Sequence, residues 1–85
     1  MSTEDKFNSL KSYILSHLGD QFNNLYNFNI NDKSIICKLD AIYNESPSIE
    51  PKIIFRDLNN DSLIELKPSN MPKFIKSINH NEDIF

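Results

Sequence analysis

The stretch YNFNINDKSIICKLDAIY, residues 26–43, decides the fold that the sequence predicts. In its first half bulky apolar residues alternate with asparagines, and after Asp32-Lys33 the odd positions from 35 to 43 are all apolar. A two-residue period is typical of strands with one buried face. We therefore predict a hairpin with a two-residue turn at Asp32-Lys33. The predicted opposing pairs are Ile30 with Ile35, Phe28 with Cys37, and Tyr26 with Leu39.

A second hairpin is predicted after the polar, proline-containing stretch NESPSIEP, residues 44–51. Its strands cover residues 52–58 and 62–67, with a turn at Asn60-Asp61. Oppositely charged side chains support the register. The predicted pairs are Phe55 with Leu66 and Arg56 with Glu65.

Two segments with apolar residues three or four positions apart, the spacing of an amphipathic helix, flank these strands. The first, with Ser2 or Thr3 as its N-cap and Gly19 at its end, consists of Phe7, Leu10, Ile14, Leu18 and Phe22. The second, shorter stripe consists of Met71, Phe74, Ile75 and Ile78. We expect an α+β two-layer sandwich of order α-β-β-β-β-α, with both helices on one face of a four-stranded antiparallel sheet. Residues 1–85 form one domain in this prediction, and residues 80–85 form a frayed tail.

The composition favours a globular protein with a protein partner. Of the 85 residues, 39% are hydrophobic and 25% are charged, and the formal net charge is −3. This acidic balance argues against general nucleic-acid binding, and the sequence has no apolar run long enough for a membrane span. The polar N-terminus and the single cysteine indicate an intracellular location, in the cytoplasm or nucleus.

The segment IIFRDLNNDSLIEL, residues 53–66, contains acidic or amide residues at alternate positions 57, 59 and 61, as a calcium loop does. An EF-hand loop that starts at Asp57 needs glycine at its sixth position and glutamate at its twelfth. Those positions hold Ser62 and Pro68. Because Asn and Asp tolerate the backbone angles of tight turns, we interpret this segment as a hairpin turn.

The remaining candidates for chemistry also have structural interpretations. Cys37 belongs to the inward row of its strand and is predicted to be a buried apolar residue. His17 and His80 fall on different predicted helices, and neither has a second ligand at metal-binding spacing. We therefore predict no metal, no cofactor and no enzymatic activity.

The sheet face turned away from the predicted helices is the expected binding surface. It carries aliphatic residues, Leu63 among them, between charged ones, more than a solvated face requires. We predict that a protein partner, or a second copy of the chain, contacts Ile36, Ile42, Ile54, Arg56, Leu58 and Glu65.

The predicted order and the proline spacing Pro47-Ser-Ile-Glu-Pro51 before KIIF resemble an RWD-type interaction module. Ser46 stands where that family has a tyrosine, and the family's additional helix is missing. The resemblance implies a non-catalytic scaffold that pairs with another subunit, as RWD-type domains of kinetochore complexes do. The segment from Glu50 to Ile78 is also similar to the end of a COMM domain, an obligate dimerisation module, but the chain lacks that family's tryptophan.

The sequence therefore predicts a small non-catalytic adaptor or assembly subunit. The alternative is an acidic inhibitor, of immunity or anti-defence type, which covers a basic or nucleic-acid-binding site. Such a protein concentrates carboxylates on one surface and binds with marked salt dependence. The candidate carboxylates are Asp40, Glu45, Glu50, Asp57 and Asp61.

Overall fold

A six-stranded antiparallel sheet with one helix packed on it makes up the computed structural model, which describes residues 2–43 and 49–85. The helix is α1 (Thr3–Ser16), and the sheet order is β4-β3-β2-β1-β5-β6. The strands are β1 (Leu25–Ile30), β2 (Lys33–Tyr43), β3 (Lys52–Asp57), β4 (Leu63–Leu66), β5 (Ile75–Ser77) and β6 (Glu82–Asp83). The α+β class is confirmed, whereas the predicted four strands and two helices are wrong in number. Most of the predicted loop 44–51, including Glu45 and Pro47, lies outside the described residues.

Helix α1 begins where the sequence predicts and ends earlier. The Ser2 hydroxyl accepts a hydrogen bond from the Asp5 N–H at 3.1 Å, which makes Ser2 the N-cap. At the other end the Ser16 hydroxyl and His17 Nδ1 both bond the Tyr13 carbonyl, each at 2.9 Å or less, and the helix stops at Ser16. Leu18 and Phe22, predicted as core residues, are therefore exposed. No helix in the described part of the chain is long and apolar enough to cross a bilayer.

The turn between β1 and β2 lies one residue earlier than predicted. Asn31 and Asp32 both have positive φ, 51° and 63°, so they are the central residues, and Ile30 pairs with Lys33. A type I′ turn needs positive φ at both positions, and Asn and Asp accept it far better than Lys33 does. Because the pairing shifts by two residues, the predicted pairs are wrong but the same side chains face the core. Tyr26 lies opposite Cys37, and Phe28 lies opposite Ile35.

The β3–β4 hairpin has a longer loop than predicted. The Asp57 N–H donates to the Ser62 carbonyl at 2.8 Å, so residues 58–61 form the loop in place of the two-residue turn at Asn60-Asp61. Asp61 has positive φ, 61°. The pairing again shifts by two residues, so each side chain stays on the face of the sheet that the sequence predicts. Phe55 lies opposite Ile64, Arg56 opposite Leu63, and Ile54 opposite Glu65.

The predicted C-terminal helix is wrong, because residues 75–77 form β5 and pair with the free edge of β1. The stripe that suggested a helix is short, follows Pro68 and contains Pro72. An unpaired edge of β1 would leave backbone N–H and C=O groups without partners beside the core. Pairing with β5 satisfies them and buries Ile75 and Ser77, while Phe74 and Ile78 stay 40% and 39% exposed.

The tail 80–85, for which the sequence predicts fraying, is paired in the structure. Glu82 and Asp83 form β6 against β5, and the Ile84 N–H donates to the Ile75 carbonyl at 2.9 Å. Ile84 and Phe85 are half-buried against the core. The chain end is thus part of the sheet edge.

The core lies between α1 and the inner face of the sheet, and aromatic rings fill its centre. The Phe55 ring meets the Tyr26 and Phe28 rings edge-on, with centroids 5.3 and 4.7 Å apart. The fully enclosed cluster consists of Phe7, Leu10, Ile14, Tyr26, Phe28, Cys37, Leu39, Ile53, Phe55, Leu66 and Ile75.

We expect the substitution Phe55→Ala to lower the free energy of unfolding by about 3–5 kcal/mol, because a buried ring is removed and a cavity remains. Phe22→Ala is the matched control: that ring is 52% exposed, so we expect a change of about 0.5 kcal/mol or less. Urea denaturation followed by circular dichroism measures both. Phe55→Leu, a milder change, should give a smaller loss in the same direction if Phe55→Ala does not fold. Equal losses at positions 55 and 22 would contradict the described core.

Candidate functional site

A bulge in β2 decides which side chains the outer face of the sheet presents. Leu39 pairs with Phe55 but Ala41 pairs with Ile54, so Asp40 is an extra residue without a partner. Beyond this point the alternation is inverted. Ile42 turns inward opposite Ile53, and Ala41 turns outward.

The centre of the outer face is Arg56, which two carboxylates hold. Its Nη2 donates to Asp40 Oδ1 at 3.2 Å, and its Nη1 donates to Asp61 Oδ1 at 3.0 Å. Asp40 is the extra residue of the bulge, and Asp61 is the positive-φ residue of the β3–β4 loop. The hydrogen bond that Arg56 donates to Asp61, and then the one that it donates to Asp40, raise the pKa of Arg56 above its ordinary value. The guanidinium is thus held in one orientation on an open sheet.

A second ion pair lies beside Arg56 on the same face. Lys52 Nζ donates to Glu65 Oε1 at 3.1 Å, and this hydrogen bond lowers the pKa of Glu65 below its ordinary value. Lys52 also lies over the Tyr43 ring, 5.4 Å from its centroid. Glu65 therefore pairs with Lys52 and not with Arg56 as predicted. Exposed ion pairs of this kind are screened by solvent, so they orient side chains more than they stabilise the fold.

Three exposed aliphatic side chains lie near Arg56 on the outer face, where Lys38 is its direct partner on β2. Ile36 on β2 is 46% exposed, Leu58 directly after β3 is 47% exposed, and Leu63 on β4 is 56% exposed. Leu63 is the direct cross-strand partner of Arg56, and the Leu58 N–H donates to the Ile36 carbonyl at 3.1 Å. We call the set Ile36, Arg56, Leu58 and Leu63 the Arg56 patch.

Two residues predicted for the binding surface are not available there. Ile42 is half-buried and packs against the core, because the bulge at Asp40 turned it inward. Ile54 keeps its place in the outer row but is only 9% exposed. It lies between Lys52 and Arg56 along β3 and between Ala41 and Glu65 across the sheet, and long charged side chains cover apolar neighbours with their stems. The structure keeps Ile36, Arg56, Leu58 and Glu65 on the outer face.

The pairing of Arg56 with Asp40 and Asp61 was missed from the sequence. The signal for Asp61 is its place in a loop rich in Asn and Asp, where one residue adopts positive φ. The bulge that brings in Asp40 depends on how β2 and β3 fit together, and residues 39–41 carry no local mark of it.

The acidic residues of the β3–β4 loop hold the turn together, as the sequence predicts. Asp57 Oδ1 accepts from the Asn59 N–H at 2.8 Å, and Asn60 Oδ1 accepts from the Ser62 N–H at 3.0 Å. The Asp61 carboxylate bonds Arg56. These oxygens thus have partners in the loop or on the adjacent Arg56, as Asn and Asp side chains in turns commonly do.

The carboxylates expected of an acidic inhibitor are partly neutralised. Asp40 and Asp61 share the positive charge of Arg56, and Glu50 Oε1 accepts from the Ser69 hydroxyl at 3.2 Å on another part of the surface. Glu45 lies outside the described residues.

Cys37 is fully buried, as predicted, with its Sγ 3.7 Å from the Tyr26 carbonyl oxygen. Burial, with a smaller contribution from the charge of Asp57, raises the pKa of the thiol far above its ordinary value. The reactive thiolate is therefore suppressed in the folded chain.

We expect the Cys37 thiol of the folded chain to react with a disulfide reagent at least about a hundredfold more slowly than in urea, since reaction needs an opening of the core. Because the folded-state pKa is raised, the contribution of the neutral thiol to stability is complete below the ordinary thiol pKa. It is lost as the pH rises from there towards the folded-state value. Thiol titration at pH 8, with and without urea, measures the rates. Equal rates would contradict the placement of Cys37.

Comparisons with protein-family models, with curated proteins and with solved structures return no match for this chain. The resemblance to RWD-type modules stays a prediction, and Pro47 of its proline pair lies outside the described residues. What the chain does must therefore be inferred from its surface and its contacts.

Proposed function

We propose that the chain is a small non-catalytic adaptor or assembly subunit that binds a protein through the Arg56 patch. The observation that carries this proposal is the grouping of exposed aliphatic side chains around a guanidinium whose orientation is already fixed. Within the described residues, the one helix packs on the opposite face of the sheet.

The patch combines an arginine with apolar neighbours. Arginine is enriched among residues that dominate binding energies, and apolar neighbours exclude water from its contacts. Fully burying a leucine or isoleucine contributes about 1.5–3 kcal/mol. Because the three aliphatic residues are each about half exposed, a partner gains about 1 kcal/mol from each.

Preorganisation of Arg56 adds to this. A free arginine loses rotamer freedom when it is bound, at a cost of about 0.5–1.5 kcal/mol. Asp40 and Asp61 already restrict the Arg56 side chain in the unbound protein. The same carboxylates leave the patch close to neutral, so we expect apolar contact to supply affinity and charge to fix orientation.

The test uses the untagged chain, immobilised, as bait for a protein partner, with sedimentation of the free chain as a measure of self-association. We expect Ile36→Asp with Leu58→Asp to abolish partner binding or self-association. The matched control is Leu15→Asp with Leu18→Asp, which changes two leucines that are 50% and 61% exposed at the end of α1. We expect this control to bind as the native chain does.

Circular dichroism establishes that both double variants are folded. Equal binding by the native chain and the patch variant would contradict the proposal. A salt titration separates the two classes of function: apolar docking weakens little between low and high salt, whereas binding by an acidic inhibitor collapses.

A further inference from the structure

The two histidines of the chain, His17 and His80, lie in contact although 62 residues separate them along the sequence. His17 caps the C-terminus of α1, and His80 lies in the turn between β5 and β6. Their ring centroids are 4.9 Å apart, with the planes inclined at 37°. The sequence placed them on separate helices, and the pairing of β5 with β1 brings them together.

Contacts at Nδ1 and stacking on Tyr13 hold the His17 ring. Its Nδ1 lies 2.9 Å from the Tyr13 carbonyl oxygen and 2.9 Å from the Ser16 hydroxyl oxygen. The carbonyl only accepts, so a ring with its proton on Nδ1 donates to it. The ring also stacks on Tyr13, with centroids 4.3 Å apart. In that tautomer the lone pair of the neutral ring is on Nε2. Histidines that bind metals commonly donate their other N–H to a carbonyl or carboxylate, which fixes the tautomer and the ring.

The separation of the rings fits a shared ion. With Zn–N bonds of about 2.0–2.1 Å, two imidazoles bound to one tetrahedral Zn²⁺ place their ring centroids about 5 Å apart. The observed 4.9 Å matches this spacing. His80 is exposed and His17 is half-buried, so an ion from solvent reaches the pair without opening the core.

We propose that His17 and His80 form a two-histidine site for a first-row transition-metal dication such as Zn²⁺, Ni²⁺ or Cu²⁺, which imidazole ligands favour. Among residues 2–43 and 49–85 no group of three or more His, Cys, Asp or Glu side chains could hold a metal, so water completes the coordination. The bound ion links the end of α1 to the β5–β6 turn. This site is independent of the Arg56 patch.

The test is a titration of the untagged chain with Zn²⁺ in a buffer that does not bind metals, followed by calorimetry and by the imidazole signals in NMR spectra. The chain has two histidines and its cysteine is buried, so each ring signal is unambiguous and the thiol does not compete. We expect one ion per chain and simultaneous shifts of both rings. Mg²⁺ and Ca²⁺, which prefer oxygen ligands, should leave both rings unchanged.

His80→Ala and His80→Gln should each raise the dissociation constant for Zn²⁺ by about tenfold or more, because the second ligand acts at a high effective concentration only when it is present in the same chain. Both changes are at an exposed turn position and leave the core intact. The proposal is overturned by affinity that stays within about threefold in both variants, by one ion per two chains, or by ring shifts confined to one histidine.

Discussion

Strand β1 is paired on both edges, and the rest of the structure depends on this constraint. It lies between β2 and β5, so the backbone groups on both its sides have partners. Its inward residues Tyr26 and Phe28 reach the Phe55 ring of β3 across β2 and anchor the core. The residue opposite Tyr26 on β5 is the buried Ser77. A chain of this size has a modest core, and the central strand β1 contributes two of its largest side chains, Tyr26 and Phe28.

The alternation in residues 26–43 was enough to predict the hairpin, its faces and the burial of Cys37, because a two-residue period survives an even error in register. The alternation was not enough to predict the position of each turn, because that position depends on which residues adopt positive φ. In this chain Asn31, Asp32 and Asp61 do so. The C-terminal strand was missed for another reason. Ile75 and Ser77 are strand residues because β1 offers them an edge, and three residues carry too little local pattern to indicate it.

The same strand alternation predicted part of the candidate surface. Ile36, Arg56 and Leu58 follow the plain alternation and lie on the outer face, as expected. Ile42 does not lie on the outer face, because the extra residue Asp40 reverses which side chains of β2 point outward after it. The same bulge brings a carboxylate to Arg56, so the feature that removed one predicted residue also orders the one at the centre of the patch. Tertiary fit between β2 and β3 decides both effects.

The architecture separates the two proposed uses of the chain. The outer face of the sheet, around Arg56, is the surface proposed for a protein partner, whereas the histidine pair lies where the end of α1 meets the turn after β5. The second arrangement exists only because residues 75–83 join the sheet. Both proposals thus depend on the strand order, the first through β2, β3 and β4, and the second through β1, β5 and β6.

The most direct test of this account is NMR spectroscopy of the labelled chain, with cross-strand nuclear Overhauser effects assigned for Tyr26. The account predicts contacts from Tyr26 to both Cys37 and Ser77, and slow amide exchange along β1. Helical contacts three residues apart through residues 71–78, without any contact between Ser77 and Tyr26, would contradict it.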